Sequence, residues 1–184
     1  MTEKRVGDWI QTFTGKQFWP LDARPEEVDI DDIAHALSML CRFNGHCNRF
    51  YSVAEHSVHV SCIVDPVHAK LGLLHDAAEA YVADVARPIK PFIPNFGSIE
   101  RRLMTVIAAR FWLGSITHID VVLADNEMLF TEKAVLMPNS PAPWSGQVQP
   151  LDTRMIQCWS PERARIEFIQ RFNTLWMPDK RSFV

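Results

Sequence analysis

The 184-residue sequence has few cysteines and no long apolar run. Its four cysteines, at positions 41, 47, 62 and 158, form no C-x-x-C pair, and its first residues are charged rather than apolar. Because neither a disulfide framework nor an apolar leader is indicated, we expect reduced thiols in a cytoplasmic protein. No stretch approaches the roughly 20 apolar residues of a membrane-spanning helix, so we expect no membrane partner.

The sequence also lacks a strong charge of either sign. Its formal net charge is −3, whereas proteins that bind nucleic acid polymers usually present a basic surface. A nucleotide-sized ligand needs only a local group of cations, so the charge does not exclude it. With 47% hydrophobic content, residues 1–184 fit one domain with an ample core.

The apolar periodicity predicts an all-α fold, a bundle of about six helices with a short N-terminal β-hairpin. The hairpin is expected within residues 12–19 of an N-terminal arm, residues 1–28. The hairpin lacks the glycine spacing of a phosphate-binding loop, so Lys16 is interpreted as a solvated turn residue. Four prolines predict a loop over residues 138–159, a candidate lid or subunit contact. The predicted helices run from Asp31 to about Phe43, from Ser52, from Asp65 through His75, from Ser98 to Leu113, from Thr117 through Asp125, and from Ser160 to about Trp176.

His75 and Asp76 form the most informative pair, within residues 71–79, which are predicted to be helical. At helical spacing His75 shares one apolar face with two leucines and an alanine. An unpaired polar group in such a seam costs about 1 to 3 kcal/mol, so the imidazole needs a partner. Asp76 lies beside it and Glu79 follows one turn later. Taken alone, the pair fits a hydrogen-bonded core histidine equally well.

Two further segments place metal-competent side chains on faces that should be buried. Ser52 and Glu55 are predicted to form a capping box, which starts a helix with His56 on its apolar stripe. Downstream, Asp125 has apolar residues at the three- and four-residue offsets of another helix. A carboxylate in an apolar stripe is rarer than a histidine there, because buried charges are paired or bind metal. Three unrelated polar residues in the core are the less favoured interpretation.

Two imidazoles and two carboxylates are therefore the candidate metal ligands: His56, His75, Asp76 and Asp125. A mixed nitrogen and oxygen set suits one divalent transition metal such as zinc, cobalt or manganese. With four protein ligands, an octahedral ion keeps two positions for water and a substrate oxygen, which suits catalysis better than a closed structural site.

The order of these four ligand candidates resembles the H...HD...D signature of the HD-domain metal-dependent phosphohydrolases. The runs SVAEHS at residues 52–57, HDAAEAYVAD at residues 75–84 and PIK at residues 88–90 are similar to a small branch of that family. This branch contains bacterial and phage 5′-deoxynucleotidases and dNTP triphosphohydrolases, and the similarity covers most of the chain. It implies a single all-helical HD domain, one catalytic divalent metal, and attack by metal-activated water on a nucleotide phosphate.

The resemblance also implies roles for two acidic residues. Glu79 matches the family's HDxxE pattern, in which the carboxylate orients or deprotonates the attacking water; a solvent-facing helix carboxylate is the alternative. Asp84 matches a position that works near the leaving group, as proton donor or water-binding group. An aspartate at the negative end of a helix dipole is mildly unfavourable, which favours a functional reason for Asp84.

Cations near the candidate ligands are expected to bind phosphate. Arg42 precedes His56 by about the interval at which the nucleotidases place a phosphate-binding arginine, and its guanidinium fork fits two phosphate oxygens. A surface cation at a helix C-terminus is the alternative. Lys90 is a candidate point charge for phosphate, and Arg49 and Arg87 are weaker candidates.

Trp19 and Pro88 complete the expected substrate contacts. Trp19 could form an apolar wall for a base, although core packing explains this residue equally well. Pro88 belongs to the same segment as Lys90. Two other branches of the superfamily do not fit: no GYP tripeptide follows the His-Asp pair, and only His118 lies between that pair and Asp125. A second transition metal is therefore not expected.

The predicted activity is cleavage of the 5′ phosphate ester of a deoxynucleotide. Monophosphates and triphosphates share this chemistry, and the similarity to phage enzymes favours a purine substrate such as dAMP or dATP. Magnesium would accompany a triphosphate substrate, and a homo-oligomer is expected. A nucleotide-binding sensor without turnover is the competing hypothesis, but such a sensor is expected to have lost a ligand or Glu79.

Overall fold

The computed structural model describes residues 4–146 and 148–177, and it confirms an all-α fold with a short β-hairpin. Short 3-10 turns connect several of the helices. In the described residues the strands are β1 (Ile10–Gln11) and β2 (Gln17–Phe18), and the helices are α1 (Ile30–Met39), α2 (Val53–Ile63), α3 (Ala69–Leu74), α4 (Glu79–Val82), α5 (Phe96–Phe111), α6 (Ile119–Leu136) and α7 (Pro161–Trp176).

The N-terminal hairpin forms close to the predicted residues 12–19, but β1 lies just before that range. β1 and β2 pair antiparallel with Ile10 opposite Phe18, and Phe18 is fully buried. The Lys16 side chain is 40% exposed at the turn before β2, which agrees with the prediction of a solvated turn residue. Its Nζ also lies 2.7 Å from Asp29 Oδ2, so this ion pair ties the hairpin to the N-cap residue of α1.

Helix α2 lies at the centre of the molecule. Its residues from Val53 to Ser61 are all buried, and α1, α3, α6 and α7 pack around it. A helix that is enclosed on all sides belongs to a core rather than to a surface. One apolar cluster on its flank includes Leu37 and Phe168, and the other includes Met128. Burial of each such side chain contributes about 1.5 to 3 kcal/mol, so α2 is held firmly in place.

Helix α1 differs from its predicted bounds. Its cap is Asp29 rather than Asp31, because the Asp29 carboxylate accepts a hydrogen bond from the Asp31 backbone N–H at 2.9 Å. The helix ends at Met39, and Arg42 begins a separate 3-10 turn that ends at Gly45. Three residues of this turn, Phe43, Asn44 and Gly45, adopt positive φ angles, and an α-helix running to residue 43 would not allow the one at Phe43.

The helix predicted through residues 71–84 is interrupted. α3 ends at Leu74 and α4 begins at Glu79, and the intervening backbone is held by bonds between residues three apart, such as Ala77 N–H to Leu74 C=O. His75 Nδ1 donates to the Gly72 carbonyl at 2.8 Å, which is the acceptor that a continuous α-helix would offer to the next residue's N–H. The interruption therefore coincides with the pair of residues that carries the candidate chemistry.

The C-terminal half follows the predictions more closely. α5 begins at Phe96 rather than Ser98, because Asn95 takes a left-handed conformation just before it. α7 starts behind its predicted Ser160 cap, whose side chain accepts from the Arg163 N–H. Among the described residues, no helix combines the length and the apolar character needed to cross a lipid bilayer.

Candidate metal centre

Two imidazoles and a carboxylate meet beside the centre of α2. His56 comes from α2, His75 follows the last residue of α3, and Asp125 comes from α6. His56 Nε2 lies 3.3 Å from His75 Nε2 and 3.1 Å from Asp125 Oδ1, and His75 Nε2 lies 4.0 Å from the same oxygen. One ligand atom from each residue falls within 4.8 Å of the others, so this group can hold a metal ion.

The spacing of these atoms is suitable for a divalent metal. Ligand bonds of about 2.1 Å at right angles place neighbouring ligand atoms about 3.0 Å apart. The observed separations of 3.1 and 3.3 Å around His56 are close to that distance. Imidazole nitrogen and carboxylate oxygen together are the donors that zinc, cobalt and manganese accept. The residues present therefore fit the predicted divalent cation.

Asp76, the fourth predicted ligand, lies at the edge of the group. Its Oδ2 is 3.2 Å from His75 Nε2 and 3.7 Å from His56 Nε2. The same oxygen is 3.8 Å from an Arg42 nitrogen. Burial opposes ionisation of Asp76, but the neighbouring histidines and Arg42 hold its pKa below the usual range. Asp76 does not belong to the compact three-residue group, so its role as a ligand stays a prediction.

Each imidazole is oriented by a hydrogen bond on the side away from the group. His75 Nδ1 donates to the Gly72 carbonyl at 2.8 Å, and His56 Nδ1 donates to Glu132 Oε1 at 2.6 Å. A carbonyl and a carboxylate can only accept, so both Nδ1 atoms carry the proton. In the neutral form of each ring, Nε2 then has its lone pair directed to the group, the arrangement usual for histidines that bind metals.

Glu132 is a functional candidate that the sequence analysis missed. It is fully buried in α6 and accepts a 2.9 Å hydrogen bond from Arg42 Nε in addition to the bond from His56. Burial opposes its ionisation, but Arg42 and His56 lower its pKa. Glu132 follows Asp125 by seven residues, which is two helical turns and hence the same face. That spacing was the available signal in the sequence.

Arg42 is buried rather than exposed. Only 9% of the residue is accessible, so the alternative of a surface cation at a helix end is wrong. Its guanidinium lies between Glu132 and Asp76 because the 3-10 turn after α1 directs it inward. These carboxylates raise its pKa although burial acts in the opposite direction. A further contact from Arg42 to phosphate stays a prediction.

Glu79 is a buried carboxyl group in a polar chain of residues. Lys90 Nζ lies 3.5 Å from Glu79 Oε1 and 2.9 Å from Glu100 Oε1. The other oxygen, Oε2, is buried without a hydrogen-bond partner among the described residues. Burial, and then the negative charges of Asp76 and Asp84, raise the Glu79 pKa to about 9. The alternative of a solvent-facing helix carboxylate is therefore wrong.

Asp84 and Arg87 lie in the segment after α4. The helix ends at Val82, so Asp84 does not terminate it as predicted; Ala83, with a φ angle of 67°, turns the chain between them. Burial is the main cause of a raised Asp84 pKa. Arg87 is 69% exposed, and its NH2 atom lies 3.4 Å from Asp125 Oδ2. This weakly supported phosphate candidate thus reaches a candidate metal ligand directly.

Trp19 and Pro88 are not brought into the group of ligands by any observed contact. The Trp19 ring lies under the Arg5 guanidinium, 4.3 Å from the ring centroid. Arg5 is itself bound by Asp22 and Glu27, so this contact anchors the N-terminal arm. Pro88 is exposed in the loop before Lys90. The substrate contacts predicted for Trp19 and Pro88 stay predictions.

Protons compete with a metal for the two imidazoles. Burial disfavours the charged form of His75, but Asp76 and Asp125 outweigh it and raise the His75 pKa to about 9. The pKa of His56 is also raised, because Glu132 and Asp125 outweigh burial and the charge of Arg42. A cation binds neutral imidazole, so its binding must release protons at neutral pH.

The chain is similar to bacterial proteins whose functions are described only as uncharacterized. YfdR of Escherichia coli K12 is 36% identical over 169 residues, which are 91% of this chain and 95% of YfdR. This chain belongs to the YfdR family. An uncharacterized protein of Rhodobacter capsulatus is 32% identical over 118 residues, 59% of this chain and 60% of that protein. No model of a known protein family matches the chain.

Membership of the YfdR family extends over almost the full length of both proteins. The name YfdR states no activity or ligand. The chemistry available to this YfdR-family chain therefore depends on the candidate metal centre: the atoms that converge there, the groups buried beside them and the cations that lie close to them.

Proposed function

We propose that this chain is an HD-type metal-dependent phosphohydrolase that cleaves the 5′ phosphate ester of deoxynucleotides. The observation that supports this most strongly is the convergence of His56 Nε2, His75 Nε2 and Asp125 Oδ1, with both imidazoles oriented from behind. A divalent cation bound there would polarise a phosphate oxygen and lower the pKa of a bound water.

Glu79 is the proposed proton acceptor for the attacking water. Its Oε2 has no hydrogen-bond partner among the described residues, so this atom is available to a water molecule. A pKa of about 9 keeps the carboxyl protonated at neutral pH in the metal-free chain. Because the charge of Asp76 contributes to that pKa, compensation of Asp76 by a cation lowers it and permits Glu79 to accept the proton.

Asp84 is the proposed donor to the leaving oxygen of the deoxynucleoside. Its raised pKa, caused first by burial, favours the protonated carboxyl that such a donor needs. The charge of Asp84 raises the pKa of Glu79, and the charge of Asp76 raises the pKa of both carboxyl groups. Two carboxyl groups with different partners can therefore divide proton acceptance and proton donation between them.

Cations at the opening of the site are proposed to bind the phosphate chain. Arg87 is the most available, because it is largely exposed and already lies 3.4 Å from Asp125. Arg42 offers the part of its guanidinium that Glu132 does not occupy, and Lys90 supplies a charge beside Glu79. Several cations around one site suit a triphosphate as well as a monophosphate, with a purine base as the favoured substrate.

The test is product release from a panel of deoxynucleoside mono- and triphosphates. Metal-free protein is reloaded separately with manganese, cobalt, magnesium or zinc, and free phosphate, triphosphate and deoxynucleoside are measured. We expect turnover with at least one metal, and at least a 100-fold loss in Asp125→Asn. Glu127→Gln, on the same helix but outside the site, is the matched control. Nucleotide binding without product for every metal would overturn the proposal and favour a sensor.

A further inference from the structure

A second group of potential ligands lies away from the centre described above. His68 ends the 3-10 turn before α3, His118 caps α6, and Asp120 lies in the first turn of α6. One ligand atom from each falls within 4.8 Å of the others. Sequence order gave no hint of this group, because His68 and His118 are 50 residues apart.

The distances in this group suit a tetrahedral cation. Asp120 Oδ2 lies 3.5 Å from His68 Nε2 and 3.5 Å from His118 Nδ1. Zinc bonds of 2.0 to 2.1 Å at the tetrahedral angle place ligand atoms roughly 3.3 Å apart. All three side chains are partly exposed, so rotation about their χ angles can bring the ligand atoms to that spacing. Two histidines and one carboxylate are also a donor set that zinc commonly accepts.

The role of His118 as a helix cap does not by itself explain this arrangement. Its Nδ1 accepts a 3.3 Å hydrogen bond from the Asp120 N–H, a weak contact at a position where serine, threonine, asparagine or aspartate cap best. The imidazoles of His68 and His118 stack with centroids 3.7 Å apart. Because each imidazole lone pair lies in the plane of its ring, the stacked rings must rotate before both nitrogens can bind one cation.

The position of the group relates it to the candidate metal centre. His68 precedes His75 by seven residues, and His118 precedes Asp125 by seven residues. Along a continuous helix such as α6, seven residues span roughly 10 Å. The group therefore joins the start of α3, which ends just before His75, to the start of α6, which carries Asp125 about two turns further along.

We propose that His68, His118 and Asp120 form a second, peripheral site for a divalent cation of the zinc type, which ties the start of α3 to the start of α6. Water completes the coordination, because all three side chains are partly exposed. This site is separate from the catalytic centre and does not depend on the proposed phosphohydrolase activity. It differs from a two-metal active site, in which the ions lie about 3.5 to 4 Å apart.

The test counts zinc ions bound by the full chain. Equilibrium dialysis against low-micromolar zinc, with metal measured by mass spectrometry, should give two equivalents for the wild type. His68→Gln should bind one equivalent, with the second affinity weakened at least tenfold, since one of three protein ligands is lost. His75→Ala should retain the peripheral equivalent, so failure of the catalytic centre and failure of this site are distinguished.

Two further variants keep the test decisive. Asp120→Asn removes the shared carboxylate without removing the helix cap, and it should also lose one equivalent; circular dichroism checks that both variants fold. His46→Gln is the control for zinc bound at another place in the chain. This exposed histidine lies beside Cys47, whose Sγ is 3.5 Å from that of Cys41, so these residues are the alternative zinc ligands. A wild type with one equivalent that His75→Ala loses, two equivalents in both His68→Gln and Asp120→Asn, or loss of the second equivalent in His46→Gln would overturn the proposal.

Discussion

At the scale of single residues, the candidate metal centre depends on groups that are not ligand candidates themselves but orient the two imidazoles. Glu132 fixes the ring of His56 and neutralises Arg42, and all three are buried together. His75 has no such carboxylate behind it and uses the Gly72 carbonyl instead. His56 is therefore oriented by a charged carboxylate and His75 by a neutral carbonyl. Buried charges are concentrated on the side of His56.

Glu132→Gln tests the first of these partners. The amide can still accept from His56 but cannot neutralise Arg42, so we expect metal affinity to fall by about 10- to 100-fold. Unfolding should also require less urea, because a buried charge loses its partner. Glu132→Asp, which keeps the charge, should recover part of the affinity, and Glu127→Gln should match the wild type. Wild-type zinc affinity in Glu132→Gln would show that Glu132 does not position His56.

Glu79 should make the stability of the metal-free chain depend on pH. Its pKa is 4.5 as a free side chain and about 9 in the fold, so between these values the folded chain holds a proton that the unfolded chain has lost. Stability must then fall as pH rises, by up to about 1.4 kcal/mol per pH unit for one proton. His75, whose pKa is raised from 6.5 to about 9, acts in the same direction above pH 6.5.

Urea unfolding in the presence of a chelator, from pH 5.5 to 8.5, measures this effect. Glu79→Gln cannot ionise, so we expect its stability to decline less steeply than that of the wild type. The exposed Glu26→Gln is the control and should leave the slope unchanged. Equal slopes for wild type and Glu79→Gln would mean that Glu79 is ionised in the folded chain.

Arg87 provides the simplest test of phosphate recognition. It is mostly exposed, so Arg87→Ala should fold normally and keep its metal, unlike variants of the buried Arg42. We expect kcat/KM for a deoxynucleotide to fall about tenfold, the scale of one charge-assisted hydrogen bond at 1.5 to 3 kcal/mol. Arg101→Ala, an exposed arginine of α5, is the control. Unchanged kinetics in Arg87→Ala would remove this residue from the site.

At the scale of elements, the capping box predicted for Ser52 and Glu55 at the start of α2 forms only in part. Ser52 caps α2 as predicted, accepting from the Glu55 N–H at 3.1 Å. The predicted return bond of the capping box is replaced, because the Glu55 carboxylate accepts three consecutive backbone N–H bonds from residues 157, 158 and 159. Consecutive N–H groups form a nest for an anion, so α2 anchors the end of the proline-rich loop.

Glu55→Gln should release that anchor. Hydrogen bonds to a charged group contribute about 1.5 to 3 kcal/mol each, so we expect a loss of at least about 2 kcal/mol in unfolding free energy. Limited proteolysis should cut residues 148–159 faster than in the wild type. Glu162→Gln, on the exposed face of α7, should change neither quantity. Equal protease resistance in Glu55→Gln and wild type would show that the loop is held by other contacts.

The helices could be predicted from the sequence more fully than the turns between them. Periodicity located α2, α6 and α7, because each is long and has distinct apolar and capping residues. It did not predict the break at His75. There the His75 Nδ1 competes with a backbone N–H for the Gly72 carbonyl, and the spacing of apolar residues contains no information on such a bond. Nor did it predict that Arg42 turns inward, because two of the positive φ angles after it belong to non-glycine residues.

At the scale of the whole molecule, the site is assembled from segments far apart in sequence. Glu132 and Arg42 are 90 residues apart, and Glu132 and His56 are 76 residues apart. Spacing along a helix can suggest that His56, His75 and Asp125 are buried, but only the packing of α6 against α2 brings them together. The order of motifs therefore predicted the candidate ligands, and the tertiary fold was needed to identify the residues that orient them.

Anomalous diffraction at the zinc absorption edge tests the central claim most directly. Crystals of the full chain, soaked with zinc near pH 7.5, should show a peak about 2.0 to 2.2 Å from His56 Nε2, His75 Nε2 and an oxygen of Asp125. The same measurement shows whether Asp76 is a fourth ligand. The absence of a peak among these three residues would contradict the account, either at saturating zinc or when zinc is fully bound elsewhere in the same crystals.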